Sequence, residues 1–207
     1  MANICECGVA IAKEDLAKLG DAITRVENQN EGTEEMFAYD IISKDDRHSV
    51  KRYNKSLFGG VGKSDTTTYF EVDGEKMDED TYDKKYPRDK WMCDYQTHKC
   101  LIDKTFSNGW CVDWRALKSY SYEIPPYVAE YDDHITIYFG GRWNFPESLE
   151  EFLNSKEVRW QGAEAECGCK VLNNELGNED FRLMCYVEKD DEGFDNYYVE
   201  DRSKIYE

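Results

Sequence analysis

Two cysteine pairs have the most suggestive chemical spacing in this chain. Cys5 and Cys7 stand two apart near the start, and Cys167 and Cys169 repeat that spacing far downstream. Residues two apart on a strand point to one face. Four thiolates at about 2.3 Å from one ion are what structural zinc takes. The usual zinc knuckle spaces its cysteines more widely, and small buried cysteines are common in cores. Zinc ligands and buried thiols therefore both stand as readings. Cys93, His98, Cys100 and Cys111 make a second, looser set. Glu164 and Glu166 also share a strand face, and paired carboxylates perform acid–base work when burial raises one pKa. Glutamates in so acidic a chain more often face solvent. Glu166 also suits a structural role, accepting hydrogen bonds beside the turn at Gly168.

Other catalytic patterns fail on context. Leu57-Phe58-Gly59-Gly60-Val61-Gly62-Lys63-Ser64 resembles a phosphate loop only in its ending. The first position is leucine rather than glycine, polar residues precede it, and β-prone threonines follow where a helix is needed. The chain has 3 histidines and no zinc-protease, nucleophile-elbow or deaminase motif around them. With no catalytic constellation, a non-enzymatic protein is expected, with no cofactor unless the cysteines bind zinc.

The formal net charge is -18. That argues against direct nucleic-acid binding and against attraction to anionic lipid. The chain also holds 15 tyrosines, 9 phenylalanines and 5 tryptophans, too many for a disordered acidic tail. No apolar stretch reaches membrane-spanning length, and no basic-then-apolar leader opens the chain. A reducing cytoplasm is the expected setting, with the 8 cysteines as thiols or metal ligands. The densest acidic run is Glu188 to Asp195, interleaved with Phe194, Tyr197 and Tyr198. Such a composition suits a basic protein partner, and it also suits a surface that merely keeps the protein soluble.

Several elements must position these residues. Leu16, Leu19, Ile23 and Val26 recur at helical spacing and predict an amphipathic helix from Lys13 to Val26. Met36 to Ile42 predicts a strand. His134-Ile-Thr-Ile-Tyr-Phe139 alternates as a half-buried strand does. Pro146 is expected at the first helical position of a helix that buries Leu149, Phe152 and Leu153. Val158 to Glu166 returns as a strand. Phe181 to Val187 and Phe194 to Glu200 predict a hairpin turning through Gly193. The region from 43 to 106 is charge-balanced and punctuated by glycines, which predicts an insertion of short strands or hairpins with loops.

The order of these segments resembles the YubB ferredoxin-like family of phage and plasmid proteins. The resemblance rests on His134 to Gly168, with its tryptophan turn at Trp143, its Pro-started helix and its Ala163-Glu164-Ala165-Glu166-Cys167-Gly168 ending. Met1-Ala2-Asn3-Ile4-Cys5 looks like the family's opening strand. Asn108-Gly109-Trp110-Cys111-Val112-Asp113-Trp114 is a looser counterpart of its Asn-Trp-Gly-Thr-Lys-Trp-Asp strand, with tryptophan and glycine exchanged. The matching pieces cover roughly half of the chain.

The resemblance implies an α+β fold in a single domain, 1–207. A ferredoxin-like core would comprise 1–42 and 107–180, with an insertion at 43–106 and a C-terminal β-hairpin at 181–207. The first and last core strands would then be antiparallel neighbours, which would bring Cys5, Cys7, Cys167 and Cys169 together. Asp113, Trp114, Trp143 and Glu166 would line a pocket. The family has no established reaction. The expected function is that of an acidic accessory protein of a phage or mobile element that binds a basic or nucleic-acid-binding host protein, such as a component of a defence system that it inhibits. Asp190, Asp191, Glu192, Asp195, Tyr197 and Tyr198 would form the contact surface. A small enzyme or ligand-binding protein using the tryptophan–carboxylate pocket, and a phage structural component, are the alternatives.

Overall fold

The computed structural model describes residues 4–27, 31–59, 63–122, 126–166, 168–173 and 182–203, without the side chains of 58, 59, 63, 64, 92–100 and 173. In chain order the strands are β1 (Ile4–Ala12), β2 (Ile23–Arg25), β3 (Gly32–Ile42), β4 (Arg47–Gly59), β5 (Lys63–Val72), β6 (Glu75–Asp78), β7 (Met92–Ser107), β8 (Trp110–Asp113), β9 (Tyr127–Glu130), β10 (His134–Arg142), β11 (Trp160–Ala165), β12 (Cys169–Asn173), β13 (Leu183–Lys189) and β14 (Asp195–Asp201). The α-helices are α1 (Glu79–Lys85) and α2 (Glu147–Ser155).

β1 lies at the centre of a five-stranded antiparallel sheet ordered β12-β11-β1-β10-β9. Large and small residues alternate along it. Cys5, Cys7, Val9 and Ile11 share one face, and Gly8, Ala10 and Ala12 share the other. The first face meets α2 through Leu149 and Leu153, which are fully buried, together with Leu16, Leu19, Trp114 and Trp160. The second face is covered by the β13–β14 hairpin, whose Leu183 and Val199 pack with Tyr138, Ala163 and Ala165. A Cβ on Gly8 would stand 2.8 Å from Val199 Cγ1, so the hairpin can approach only where β1 is small. Two-sided burial also corrects the reading of 134–139 as a half-buried strand. Every residue from His134 to Gly141 is buried, because the hairpin covers the face that alternation assigned to solvent.

The other sheet has seven strands in the order β2-β8-β7-β3-β4-β5-β6. Its β4 and β7 run 13 and 16 residues, far longer than the short strands expected of an insertion. β3, expected in the core sheet, pairs instead with β4 and β7, and β8 pairs with β2 and β7. The expected α+β class is therefore corrected. The protein is mostly β, with 57% strand and 15% helix, arranged as two antiparallel sheets of five and seven strands and a C-terminal hairpin. The phosphate-loop-like string falls on the β4–β5 hairpin, with residues 60–62 outside the described residues.

The expected helix over 13–26 is a 3₁₀ segment, Lys13–Ala22, broken at Gly20 with φ 60°. Short 3₁₀ pieces suit a connector whose two ends are tied down. Asp15 Oδ2 accepts from Arg159 N and Nε, both at 2.9 Å, and fixes the first end. At the other end, Ile23 to Arg25 pairs with Trp110 to Val112, so sheet pairing overrides the helical periodicity. At α2, Pro146 is the N-cap and the first helical residue is Glu147. The two sheets join where β9 meets β7 and β8. Ser107 Oγ accepts from Val128 N at 3.1 Å, and Trp110 Nε1 donates to Glu130 Oε2 at 3.1 Å.

Gly8→Val should overpack the contact between β1 and the hairpin, at a cost of about 1–3 kcal/mol. Hydrogen exchange should show β13 and β14 losing protection while α2 keeps its own. Equal loss in both would mean that the hairpin is not a separate layer.

Candidate functional site

Three of the residue groups singled out by type and spacing fall near one end of the five-stranded sheet. Cys5 and Cys7 project from the same face of β1, with their sulfurs 3.3 Å apart. Gly141, opposite Cys5 in the register, makes room for them. A Cβ there would lie 2.8 Å from Cys7 Sγ and 3.2 Å from Cys5 Sγ. The neighbouring β11 places Glu164 beside Cys7, and Glu164 Oε2 accepts from Phe145 N at 2.5 Å. Glu166 follows, with Oε1 buried and without a hydrogen-bond partner among the described residues. Trp143 stands over this end at φ 72° with 56% of its surface exposed. A cavity of about 280 Å³ is bordered by Cys5, Trp143, Glu164, Glu166, Cys169 and Lys170.

The hydrogen bond from Cys7 holds the Cys5 thiol below its ordinary range, against burial and the charges of Glu164 and Glu166. Its own bond to Cys5, with burial, pushes the Cys7 thiol far up, and either sulfur can donate between them. Among the described residues no histidine borders this cavity.

The expected four-sulfur cluster is corrected by strand register. Cys169 pairs with Ala165, and Ala165 pairs with Glu6, so Cys169 lies on the opposite face from Cys5 and Cys7. There it meets Cys185, whose thiol burial and the Cys169 hydrogen bond push up to about 12. Cys167 lies outside the described residues, and so do the side chains of Cys93, His98 and Cys100. Among the described residues no group of three or more His, Cys, Asp or Glu is placed to hold a metal.

The tryptophan–carboxylate pocket is likewise divided. Trp143 and Glu166 share the cavity, but Asp113 and Trp114 do not reach it. Trp114 is fully buried between the sheets, where Nε1 donates to Thr105 Oγ1 at 2.9 Å. Asp113 stands 3.6 Å from Lys104 and accepts from Ala116 N at 3.0 Å. A sequence spacing cannot show that the strand ending at Asp113 belongs to the other sheet.

The acidic run occupies the far end of the β13–β14 hairpin. Asp191, Glu192 and Asp195 are exposed. Asp190 is exposed too, but its Oδ1 accepts from Glu192 N at 3.0 Å and Phe194 N at 2.8 Å, which closes the turn. Tyr197 and Tyr198, expected on one surface, point to opposite faces because they are consecutive on a strand. Tyr198 is on the outer face, stacked on Tyr186 with ring centroids 5.4 Å apart. Tyr197 packs inward beside Val199 and Leu183.

The sequence reading missed a buried polar group that fastens this hairpin. His134 is fully buried on β10. Its Nε2 lies 2.8 Å from Asp201 Oδ2, and its Nδ1 lies 2.6 Å from Asp133 Oδ1. Thr136 and Ser203 each donate a hydroxyl to Asp201 at 2.5 Å, and Asp201 N donates to Tyr138 Oη at 2.9 Å. Ser203, His134 and Asp133 imitate a catalytic triad in composition. Yet the Ser203 hydroxyl donates to Asp201, and Nε2 already faces that carboxylate, so the group is a latch. The pairing of Asp133 with a histidine at a strand start was the one available signal. The sequence reading also missed an aromatic cavity on the seven-stranded sheet.

No family model matches the chain, and no curated protein or solved structure matches it either. Among the described residues no helix is long and apolar enough to cross a membrane.

Burial works against the His134 charge, but its bonds to Asp201 and Asp133 outweigh this and raise the pKa above 6.5. The Asp201 carboxyl is also buried, yet bonds from His134, Ser203 and Thr136 hold it down at about 2. The stability from His134 is complete below 6.5 and fades as pH rises through the folded value. The stability from Asp201 is complete above 3.8 and fades as pH falls toward about 2. Urea midpoints should therefore be highest between these limits, and His134→Gln should remove the alkaline arm. Within the thiol pair, iodoacetamide followed by peptide mass mapping should find Cys5 modified before Cys7, since only Cys5 borders the cavity and has a lowered pKa.

Proposed function

We propose that this chain is a non-enzymatic binding protein that holds a basic protein partner against its C-terminal hairpin. The observation that supports this is the combination of exposed apolar and acidic groups on one hairpin. Phe194 is 65% exposed at the tip, and Met184, 36% exposed, shares the outer face with the stacked Tyr186 and Tyr198. Glu188, Asp191, Glu192 and Asp195 surround them in solvent. Exposed aromatic and methionine side chains supply desolvated contact area, and the surrounding charge speeds and orients encounter with a basic surface. The latch at Asp201 and the bond from Val199 N to Glu6 Oε1 at 3.0 Å hold the hairpin in place before binding. Such pre-organisation lowers the entropic cost of association. The resemblance to the YubB family would set this activity in a phage or plasmid context. A nucleic-acid-handling defence protein is the class of host partner that fits the acidity. A ligand site at the Cys5, Trp143 and Glu166 cavity is the second reading, supported by the buried Glu166 Oε1, which has no hydrogen-bond partner among the described residues.

Capture of basic host proteins by the immobilised chain should weaken steeply with salt, because screening shortens the reach of charge from about 30 Å at 0.01 M to about 8 Å at physiological ionic strength. Asp191→Ser with Glu192→Ser should slow association at low salt and leave folding intact. Tyr186→Ala with Tyr198→Ala should speed dissociation. Asp190 is kept out of the charge variant, because Asp190→Ser should open the turn and lower the melting temperature. Binding that both double variants leave unchanged would remove the hairpin from the interface.

A further inference from the structure

The seven-stranded sheet has a cavity of about 410 Å³ on the face that packs against α1. Tyr39 and Phe70 lie in its floor, and Tyr82, Tyr86 and Trp91 stand around it. The rings brace one another. Phe70 stacks on Tyr82 with centroids 3.8 Å apart, and Tyr86 meets Trp91 edge-on at 5.4 Å. Tyr39 Oη and Tyr82 Oη are hydrogen-bonded at 3.2 Å.

Four charged residues also line this cavity: Arg52, Arg88, Glu79 and Asp83. Some opposite charges nearby are paired: Arg47 with Asp40, Lys51 with Glu71 at 3.0 Å, and Lys85 of α1 with Glu75 at 2.6 Å. None of the four cavity residues has an ion-pair partner among the described residues. Arg52 is held by neutral groups. Its Nε donates to Asn54 Oδ1 at 3.1 Å, and its guanidinium lies 5.0 Å from the Phe37 ring centre. Glu79 and Asp83 are four apart on α1 and so are neighbours on one helix face.

This lining makes three separate demands on a ligand. Two guanidinium groups ask for an oxyanion, with a geometry that suits phosphate. The carboxylates accept only, so they ask for N–H donors. The aromatic surfaces ask for a flat ring, which any nucleobase provides. Guanine carries adjacent ring and exocyclic N–H donors on one edge, a match for a carboxylate. Adenine presents an acceptor beside its amine on the corresponding edge and would leave a carboxylate opposed to a lone pair. The volume lies within the range of about 300–1,000 Å³ typical of ligand sites. A lone aromatic amino acid would leave much of it empty.

We infer that the cavity between β3, β4, β5 and α1 binds a guanine mononucleotide, with its phosphate on Arg52 and Arg88, its base edge on Glu79 or Asp83, and its ring against the aromatic wall. The inference is independent of the hairpin.

Calorimetric titration of the full chain with guanosine monophosphate should give saturable binding. Adenosine monophosphate and guanosine should each bind at least about tenfold more weakly, a difference of roughly 1.4 kcal/mol. Arg88→Ala should weaken the nucleotide and leave guanosine unchanged. Asp83→Asn should narrow the preference for guanine over adenine. Both side chains are exposed, and thermal melts of the variants would verify the fold. Absence of binding at millimolar nucleotide would overturn the inference. So would nucleotide affinity unaffected by Arg88→Ala, or inorganic phosphate or L-tyrosine binding as tightly as the nucleotide.

Discussion

Burial of β1 on both faces is the constraint on which the rest depends. A strand covered on one side needs only alternation of apolar and polar residues. A strand covered on both needs apolar residues throughout, with size divided between the faces to match what covers each. β1 meets that demand with Val9 and Ile11 toward α2, and Gly8, Ala10 and Ala12 toward the hairpin. The hairpin can then lie flat on the sheet, and β10, next to β1, is enclosed along with it. The same arrangement aims Cys5 and Cys7 into the protected layer and leaves Glu6 on the other face, where it accepts from Val199 N.

Charge follows from this layering. The five-stranded sheet has little polar surface left to solvate, so its ionic groups are held by hydrogen bonds, in the latch and at Glu6 and Glu164. His134 and Asp201 are fully buried and hydrogen-bonded at every polar atom, which keeps their desolvation from becoming a net penalty. The hairpin, fastened at one end, carries its acids at the other. The seven-stranded sheet is built differently. Its exposed ion pairs contribute little stability each, and four charged side chains without an ion-pair partner among the described residues line the aromatic cavity. Acidity, latch and cavity thus belong to three different parts of one chain, with separate physical reasons for each.

Much of the local structure was legible in the residues. The strands at 134–142 and 160–165, the helix after Pro146 and the C-terminal hairpin appear close to where alternation, spacing and turn chemistry placed them. The pairing of Cys5 with Cys7 was legible as well, because two residues apart on a strand must share a face. The 3₁₀ segment was not legible, since Leu16, Leu19 and Ile23 keep helical spacing while Arg159 and the β2–β8 pairing hold the ends. Nor was the aromatic cavity. Its rings come from β3, β5, α1 and the segment after it, and no sequence period links Tyr39 to Trp91.

By itself, then, the sequence determined which segments extend, which face each side chain of a strand shares with its neighbours, and that the surface is strongly acidic. These are local properties, set by backbone geometry and by the count of charges. Only the tertiary structure decided that β3 and β8 belong to a second sheet, that Cys169 lies across the sheet from Cys5, and that Trp114 fills the core instead of lining a pocket. It also decided that His134 meets Asp201 across 67 positions of chain. The physical reason is that strand register and sheet membership are settled between distant segments. A one-residue change of register exchanges the faces, and nothing within a single strand records which partner it will find.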